Sequence, residues 1–296
     1  MPPGKKLTDR ATTTPLTADS SCEQAFCHII ISCCQAIDRQ LTVFLETENE
    51  SGPHKARVAL RRLTTALDAF SPILHRKQAA QVRVAAKRLF RTLGEIRDAD
   101  VFLASQRGEK KALGDKVLAL RRKTRKALRD SKAVGFAPGV LKLCRSGQIF
   151  RSDRRSQILR AAPVAVLARL VLQEAWADAH RYGPDPGQMG EEARHDFRKD
   201  LKTLRYLAEF FAGFWPGPAH QDFRSRMQGL QDGLGVLNDM ANARQRGRAG
   251  DPDAEADALR KAARIWAAIS EEAPFWAPPE QPATGEAPPA DKDGAD

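Results

Sequence analysis

The chain has 296 residues and a mass of 32.7 kDa, enough for one large domain or two small ones with a sizeable core. Its 48 Lys and Arg outnumber 37 Asp and Glu, a net charge of +11, while aromatic residues are only 6% and include two Tyr. That balance excludes neither fold nor function outright, but it speaks against a single-stranded nucleic-acid reader that stacks bases on aromatic platforms.

Residues 1–21 are rich in Thr, Pro and charge, show no hydrophobic period and lack the apolar core of a signal peptide, so they are expected to be a disordered tail. Helices are then predicted over 22–48, 54–75, 77–93, 98–132 with a break near Gly108, 137–146, 161–182, 191–215, 219–235 and 238–272 with a break near Gly250. The apolar set is dominated by Ala and Leu, and no alternating β-branched run competes with a helical reading. Residues 278–296 hold five acids against Lys292 and are expected to form a disordered acidic tail. Cys22, Cys27, Cys33, Cys34 and Cys144 are odd in number, and four lie in one helical segment. This pattern fits reduced thiols in a cytosol, and with no paired C-x-x-C motifs no metal site is expected. No stretch approaches the roughly 20 apolar residues of a membrane span, so the chain is expected to be cytoplasmic.

An internal repeat carries most of the information. Residues 54–70 read HKARVALRRLTTALDAF and residues 195–211 read HDFRKDLKTLRYLAEFF, so that His54, Arg57, Arg61, Leu63 and Phe70 recur as His195, Arg198, Lys202, Leu204 and Phe211, each 141 positions later. Leu93-Gly94-Glu95-Ile96-Arg97-Asp98 and Leu234-Gly235-Val236-Leu237-Asn238-Asp239 are separated by the same 141 positions, as are Arg83 and Arg224. Two motifs at one ungapped offset predict an all-α tandem duplication of a four-helix bundle, with halves at 22–160 and 161–277.

On a helical wheel, His54, Arg57 and Arg61 share one face while Leu60, Leu63, Leu67 and Phe70 lie opposite; His195, Arg198, Lys202 and Arg205 oppose Phe197, Leu201, Leu204 and Phe211 in the same way. Stacked cations repel one another, and residues 54–67 contain no acid to offset this. Residues 51–133 hold 22 Lys or Arg against 7 Asp or Glu, a local excess larger than that of the whole chain. Such faces concentrate anions, and guanidinium forks match phosphate oxygens. The histidines suit either a structural hydrogen bond near a helix start or, when protonated, donation to an anion. Tyr206 suits packing or donation to a phosphate. Gly94 and Gly235 read as helix ends, with Asp98 and Asp239 capping the helices that follow.

The pair of motifs, His-x2-Arg-x3-Arg-Arg with Leu-Gly-x2-Arg-Asp and His-x2-Arg-x3-Lys-x2-Arg-Tyr with Leu-Gly-x2-Asn-Asp, resembles the CHAD domain, the conserved histidine α-helical domain, over roughly residues 22–277. The resemblance implies two four-helix bundles related by pseudo-twofold symmetry, with a basic groove between them that binds inorganic polyphosphate, and association with polyphosphate granules. It implies a binding set of His54, Arg57, Arg61 and Arg62 in the first half and His195, Arg198, Lys202, Arg205 and Tyr206 in the second. Lys87, Arg91 and Arg125 join that set on charge alone. Thr203 stands opposite Arg62 and Thr64 opposite Arg205, so the two cation patterns are not identical. A non-enzymatic binder with no cofactor is expected, since no P-loop, kinase loop or cluster of carboxylates appears. The alternative is a protein that binds the phosphate backbone of nucleic acid, for which no recognition motif is present.

Overall fold

The computed structural model describes residues 15–104, 110–131, 133–245 and 251–277. These fold into α-helices joined by short 3-10 turns, and the only strand-like pairings among the described residues are two isolated bridges, Ser21 with Pro163 and Leu74 with Phe150. The α-helices are α1 (Cys22–Glu46), α2 (Ser51–Ala69), α3 (Arg76–Ala104), α4 (Lys110–Asp130), α5 (Phe136–Arg145), α6 (Arg154–Ala161), α7 (Val164–His180), α8 (Glu191–Phe210), α9 (Pro218–Gln245) and α10 (Pro252–Ser270).

Local chemistry sets the helix ends. Ser21 caps α1, accepting from the Gln24 backbone N–H while the Gln24 side chain accepts from the Ser21 N–H, a reciprocal box that satisfies two orphan donors. At the other end of α1, Arg125 donates to the carbonyls of Phe44 (2.8 Å) and Thr47 (2.6 Å), and Arg129 to that of Leu45 (2.9 Å). Two cations of α4 thereby close a C-terminus that would otherwise leave its last carbonyls without partners.

Helix α2 packs between α1 and α3, and α3 packs on α4; α8 packs between α7 and α9, and α9 packs on α10. The two sets meet where α2 touches α8 and α1 touches α7. One continuous core results. Phe26 lies against Phe70 and Phe150, and Phe70 reaches Phe211 with ring centroids 6.3 Å apart. Phe70 and Phe211 occupy equivalent positions of the repeat, so residues 141 apart in sequence touch one another across the junction. The second set has its own aromatic cluster, in which Trp266 packs against Phe197, Trp176 and His180.

Between α3 and α4, Asp100 and Arg121 form a buried ion pair, their side chains 1% and 3% exposed, with two hydrogen bonds of 2.7 and 3.2 Å. Burial raises the Asp100 pKa despite its partner. A pair this dry adds little net stability, but removing one member strands the other and costs about 3–5 kcal/mol.

Two expectations need correction. No break separates 77–93 from 98–132 or 219–235 from 238–272 at the Leu-Gly motifs: α3 and α9 run unbroken through Gly94 and Gly235, and Asp98 and Asp239 sit inside those helices rather than at caps. An interior glycine costs a helix only about 1 kcal/mol relative to alanine, and in α3 buried Leu89, Leu93 and Ile96 hold the flanking turns. The predicted helix over 161–182 begins only at Val164, because Pro163 separates α6 from α7. The expected breaks at Gly108 and Gly250, the acidic tail 278–296 and residues 1–14 of the N-terminal tail lie outside the described residues.

Candidate anion-binding site

Helices α2 and α8 pack directly on one another, and each carries one copy of the His-x2-Arg-x3 stripe. His54 and His195 stand near the first turns of these helices, and both are exposed at the surface. His195 Nδ1 lies 3.3 Å from Asn238 Oδ1. Position 97, equivalent to Asn238, is an arginine. Although His54 as a whole is exposed, partial desolvation and the positive charges of Arg97, Arg57, Lys202 and Lys55 hold its pKa below the usual histidine range.

One turn further on, the two arginines of the motif occupy matching places. Arg57 lies beside the α3 backbone at Gly94, where an added Cβ would meet its Nη1 at 3.2 Å; Arg198 lies beside Gly235, where an added Cβ would meet its Nη2 at 3.3 Å. The glycines of the Leu-Gly motifs are therefore not helix terminators. They are the places where each long helix runs close beside a guanidinium, an approach that any added Cβ would tighten to 3.2–3.3 Å. Arg57 also stacks over the Phe90 ring at 4.3 Å, with Arg61 over the same ring at 5.2 Å. Its carboxylate neighbour Asp98 is distant (3.8 Å) and 74% exposed, a contact of small energetic weight. Burial pushes the pKa of both arginines down, opposed by Asp98 at Arg57 and by Asp239 at Arg198. The Arg198 Nε is buried and has no hydrogen-bond partner. A small cavity of about 30 Å³ lies between His195, Arg198, Leu234 and Asn238, room for a water or two.

The third positions converge. Lys202 is half-buried on α8, and its pKa is pushed down to about 7 by burial and by the charges of Arg198, Arg61, Arg205 and Arg57. Two of those arginines come from α2 and two from α8. The structure thus brings His54, Arg57, Arg61, Arg198 and Lys202 within electrostatic range of one another across the junction of the two helices.

Other predicted residues are placed differently. Arg62 and Arg205 both end on the carboxylate of Glu209, Arg205 at 2.5 Å, so one acid is shared between the two cations. Gln231 fixes Arg205 further, accepting from its Nε at 2.8 Å while donating to the Leu201 carbonyl at 2.9 Å. Tyr206 is 3% exposed and packs under the guanidinium groups of Arg62 and Arg205. Arg125 is spent on the C-terminus of α1 and on Glu48. Lys87 and Arg91 are exposed on α3, where the helical period sets them on the stripe that continues through Gly94 to Asp98. Sequence reasoning missed Glu209 and Gln231; the i, i+4 spacing of Arg205 and Glu209 was the available signal for the first.

A recess of about 630 Å³ lies elsewhere: it is an apolar hollow beside α3 bounded by Val84, Leu89, Leu128 and Phe136, with Lys77 and Arg88 on its wall, and it contains none of the predicted residues. All five cysteines are free and buried, and burial raises the thiol pKa of Cys27 and Cys34 to about 12. Among the described residues there is no metal-ligand cluster and no helix long and apolar enough to cross a membrane.

Comparison with known proteins agrees with this architecture. The crystal structure of the CHAD domain from the plant Ricinus communis superposes with a TM-score of 0.64 over 90% of this chain and 92% of that one, at 20% sequence identity. PptA from Streptomyces chartreusis aligns with a TM-score of 0.50 over 86% of this chain and 100% of its own length, at 15% identity. At such identities the likeness concerns the fold alone. No curated protein matches the chain. The family model of the CHAD domain matches residues 28–248, three quarters of the chain and both copies of the histidine motif, and the chain belongs to the CHAD domain family.

Proposed function

We propose that this chain binds inorganic polyphosphate in a basic groove between two halves that arose by tandem duplication of a four-helix bundle, without chemically altering its ligand. The observation that carries the reading is the setting of Lys202, a half-buried ammonium whose strongest electrostatic neighbours are four arginines drawn from both copies of the motif. Such a concentration of like charge costs the free protein stability and is relieved when a polyanion supplies the missing negative charge. Polyphosphate offers one anionic group per repeat at a spacing that several side chains can share, and guanidinium groups hold phosphate oxygens in pairs. The duplication is supported by helix bounds that recur at or within one residue of the same offset of 141: α2 (Ser51–Ala69) is matched by α8 (Glu191–Phe210), and the starts of α3 and α9 lie at Arg76 and Pro218. The contact between Phe70 and Phe211 is what a pseudo-twofold axis produces, equivalent residues meeting at the axis. The groove holds its ligand by charge and by hydrogen bonds from cationic side chains, the chemistry of a receptor. Association with polyphosphate granules follows if the ligand is long enough to be shared between many copies.

Calorimetric titration with long-chain polyphosphate at two salt concentrations tests the reading, with pyrophosphate and duplex DNA at equal phosphate concentration as comparators. Binding that favours the long chain and weakens steeply with salt is the expected result. Equal or stronger binding of the duplex assigns the cations to a nucleic-acid backbone, and no binding of either removes the proposal.

A further inference from the structure

Each cationic stripe ends in an acid at the same place. Fourteen residues after His54 stands Asp68, and fourteen after His195 stands Glu209, again 141 positions apart. At a spacing of fourteen the helical period returns the acid to the face that bears the histidine. Asp68 is held by Arg83, which donates to its carboxylate at 2.8 Å and to the Leu67 carbonyl at 2.9 Å. Glu209 is held from both sides of the junction, by Arg62 of α2 and by Arg205 of α8, and its side chain is only 16% exposed. Beyond it opens a recess of about 340 Å³ lined by Arg205, Glu209, Gln221, Arg224, Ser225 and Gln228. Arg205 belongs to both places: its charge acts on Lys202, and its side chain lines the recess.

We propose that Glu209 is an internal counter-anion that closes one end of the anion site, so that a bound polyanion is read by the cations from His54 and His195 as far as Lys202 and stops there. This rests on the polyanion reading above. A carboxylate already seated between two guanidinium groups does locally what a phosphate of the ligand would otherwise do, and a ligand entering that position must displace it. The acid therefore sets how many phosphates the site engages. Lys202 is surrounded by cations in the free protein, while Arg62 and Arg205 already share the carboxylate of Glu209.

The test is Glu209→Gln, titrated with long-chain polyphosphate and with tripolyphosphate across a salt series, beside the wild type. Neutralising the acid removes the negative charge that Arg62 and Arg205 share, beside the recess that Arg224 lines. The expected result is several-fold tighter binding of the long chain, with the slope of log K against log salt steeper by about one to two, at roughly 0.7–0.9 per phosphate newly engaged. Tripolyphosphate, short enough to be held by the cluster alone, will bind as it does to the wild type. Unchanged or weaker long-chain binding by a folded variant overturns the proposal.

Glu209 also ties α2 to α8, so a thermal melt checks the fold of the variant. A measurement on the wild type decides the matter if it does not fold: arginine modification by phenylglyoxal, read by mass spectrometry with and without long-chain polyphosphate. Ligand will protect Arg57, Arg61 and Arg198 while leaving the modification of Arg62 and Arg205 unchanged. Protection of Arg62 and Arg205 to the same degree overturns the proposal while leaving polyanion binding intact; protection of none of the five removes the polyanion reading itself.

Discussion

The two copies of the motif share a skeleton and differ in dress. Histidine, arginine, a glycine opposite the arginine, a second cation and a terminal acid recur at one offset, but their neighbours do not. In the first copy, α3 presents Lys87, Arg91 and Arg97 along the stripe that passes Gly94; in the second, α9 presents Gln228, Asp232 and Asn238 at the equivalent positions. The first copy places Phe90 beneath Arg57 and Arg61, whereas the second has Gln231 there, which fixes Arg205 instead. The first copy is thus rich in exposed charge, and the second holds fewer cations more deeply, with Lys202 pushed to about 7. Exposed cations act mainly through long-range attraction and salt-dependent encounter; desolvated ones act at short range and are costly to leave unmatched. If the ligand is the proposed polyanion, the first copy is suited to gathering it and the second to gripping it.

The division breaks most completely where both copies lose their shared arginine. Arg57→Gln with Arg198→Gln removes two charge-assisted contacts, each contributing about 1.5–3 kcal/mol. Polyphosphate affinity measured by calorimetry will fall about 100-fold or more, while the circular dichroism spectrum stays helical. The Arg198 change alone will cost more than the Arg57 change alone, because Arg198 is the more desolvated of the two and its Nε is left without a protein partner.

Lys202→Gln separates grip from stability. Its ammonium titrates near 7 in the folded protein and near 10.4 in the unfolded chain. Between those values the unfolded state binds more protons, so the stability of the free wild type rises with pH across that window, and below about pH 7 the cost of the buried charge is fully present. Replacement by glutamine removes that cost. At pH 6 the variant will melt higher, by on the order of 1 kcal/mol or about 2–4 °C, and will lose the pH dependence of stability above 7. It will also bind polyphosphate about tenfold more weakly. In the wild type, bound phosphate favours the charged ammonium, so affinity will decline as pH rises above about 7, and the variant will lack that decline.

The glycines give a smaller and more specific effect. A methyl group at Gly94 or Gly235 lands 3.2–3.3 Å from the guanidinium of Arg57 or Arg198, at the flexible end of the side chain, which can yield by a few tenths of an ångström. Alanine raises helix propensity by up to about 1 kcal/mol, so Gly94→Ala and Gly235→Ala will leave thermal stability unchanged or slightly higher while weakening polyphosphate binding several-fold. A lower melting temperature with unchanged affinity would show instead that these glycines serve helix packing alone.

These residues also mark how far the sequence could be read. Helix content, the repeat and the convergence of two basic stripes were legible, because apolar period and charge are properties of the residues themselves. The role of Gly94 and Gly235 was not: glycine followed by aspartate looks the same at a helix end and in a helix interior, and only the arginine packed against it from another helix tells them apart. Arg62, Arg125 and Arg205 were indistinguishable from Arg57 and Arg61 by composition. Their partners, Glu209 and the carbonyls of Phe44 and Thr47, come from other helices or from the next turn, and it is the partner that decides whether an arginine is spent.

The smallest effect sharpens the contrast between gathering and gripping. Lys87 and Arg91 are exposed and lie on the outward run of the α3 stripe, with Gln228 and Asp232 as their counterparts on α9. If exposed charge works by attraction over distance, Lys87→Gln with Arg91→Gln will reduce affinity only about two- to threefold at moderate salt, lower the association rate more than it raises the dissociation rate, and flatten the salt slope by about one to two. The effect will vanish at high salt, where the screening length falls to a few ångströms. Stopped-flow association across a salt series separates the two modes. A change confined to the dissociation rate would place these residues in direct contact with the ligand and would erase the distinction between the two copies. A change confined to association would show that the copy with more charge recruits the chain for the copy that buries it.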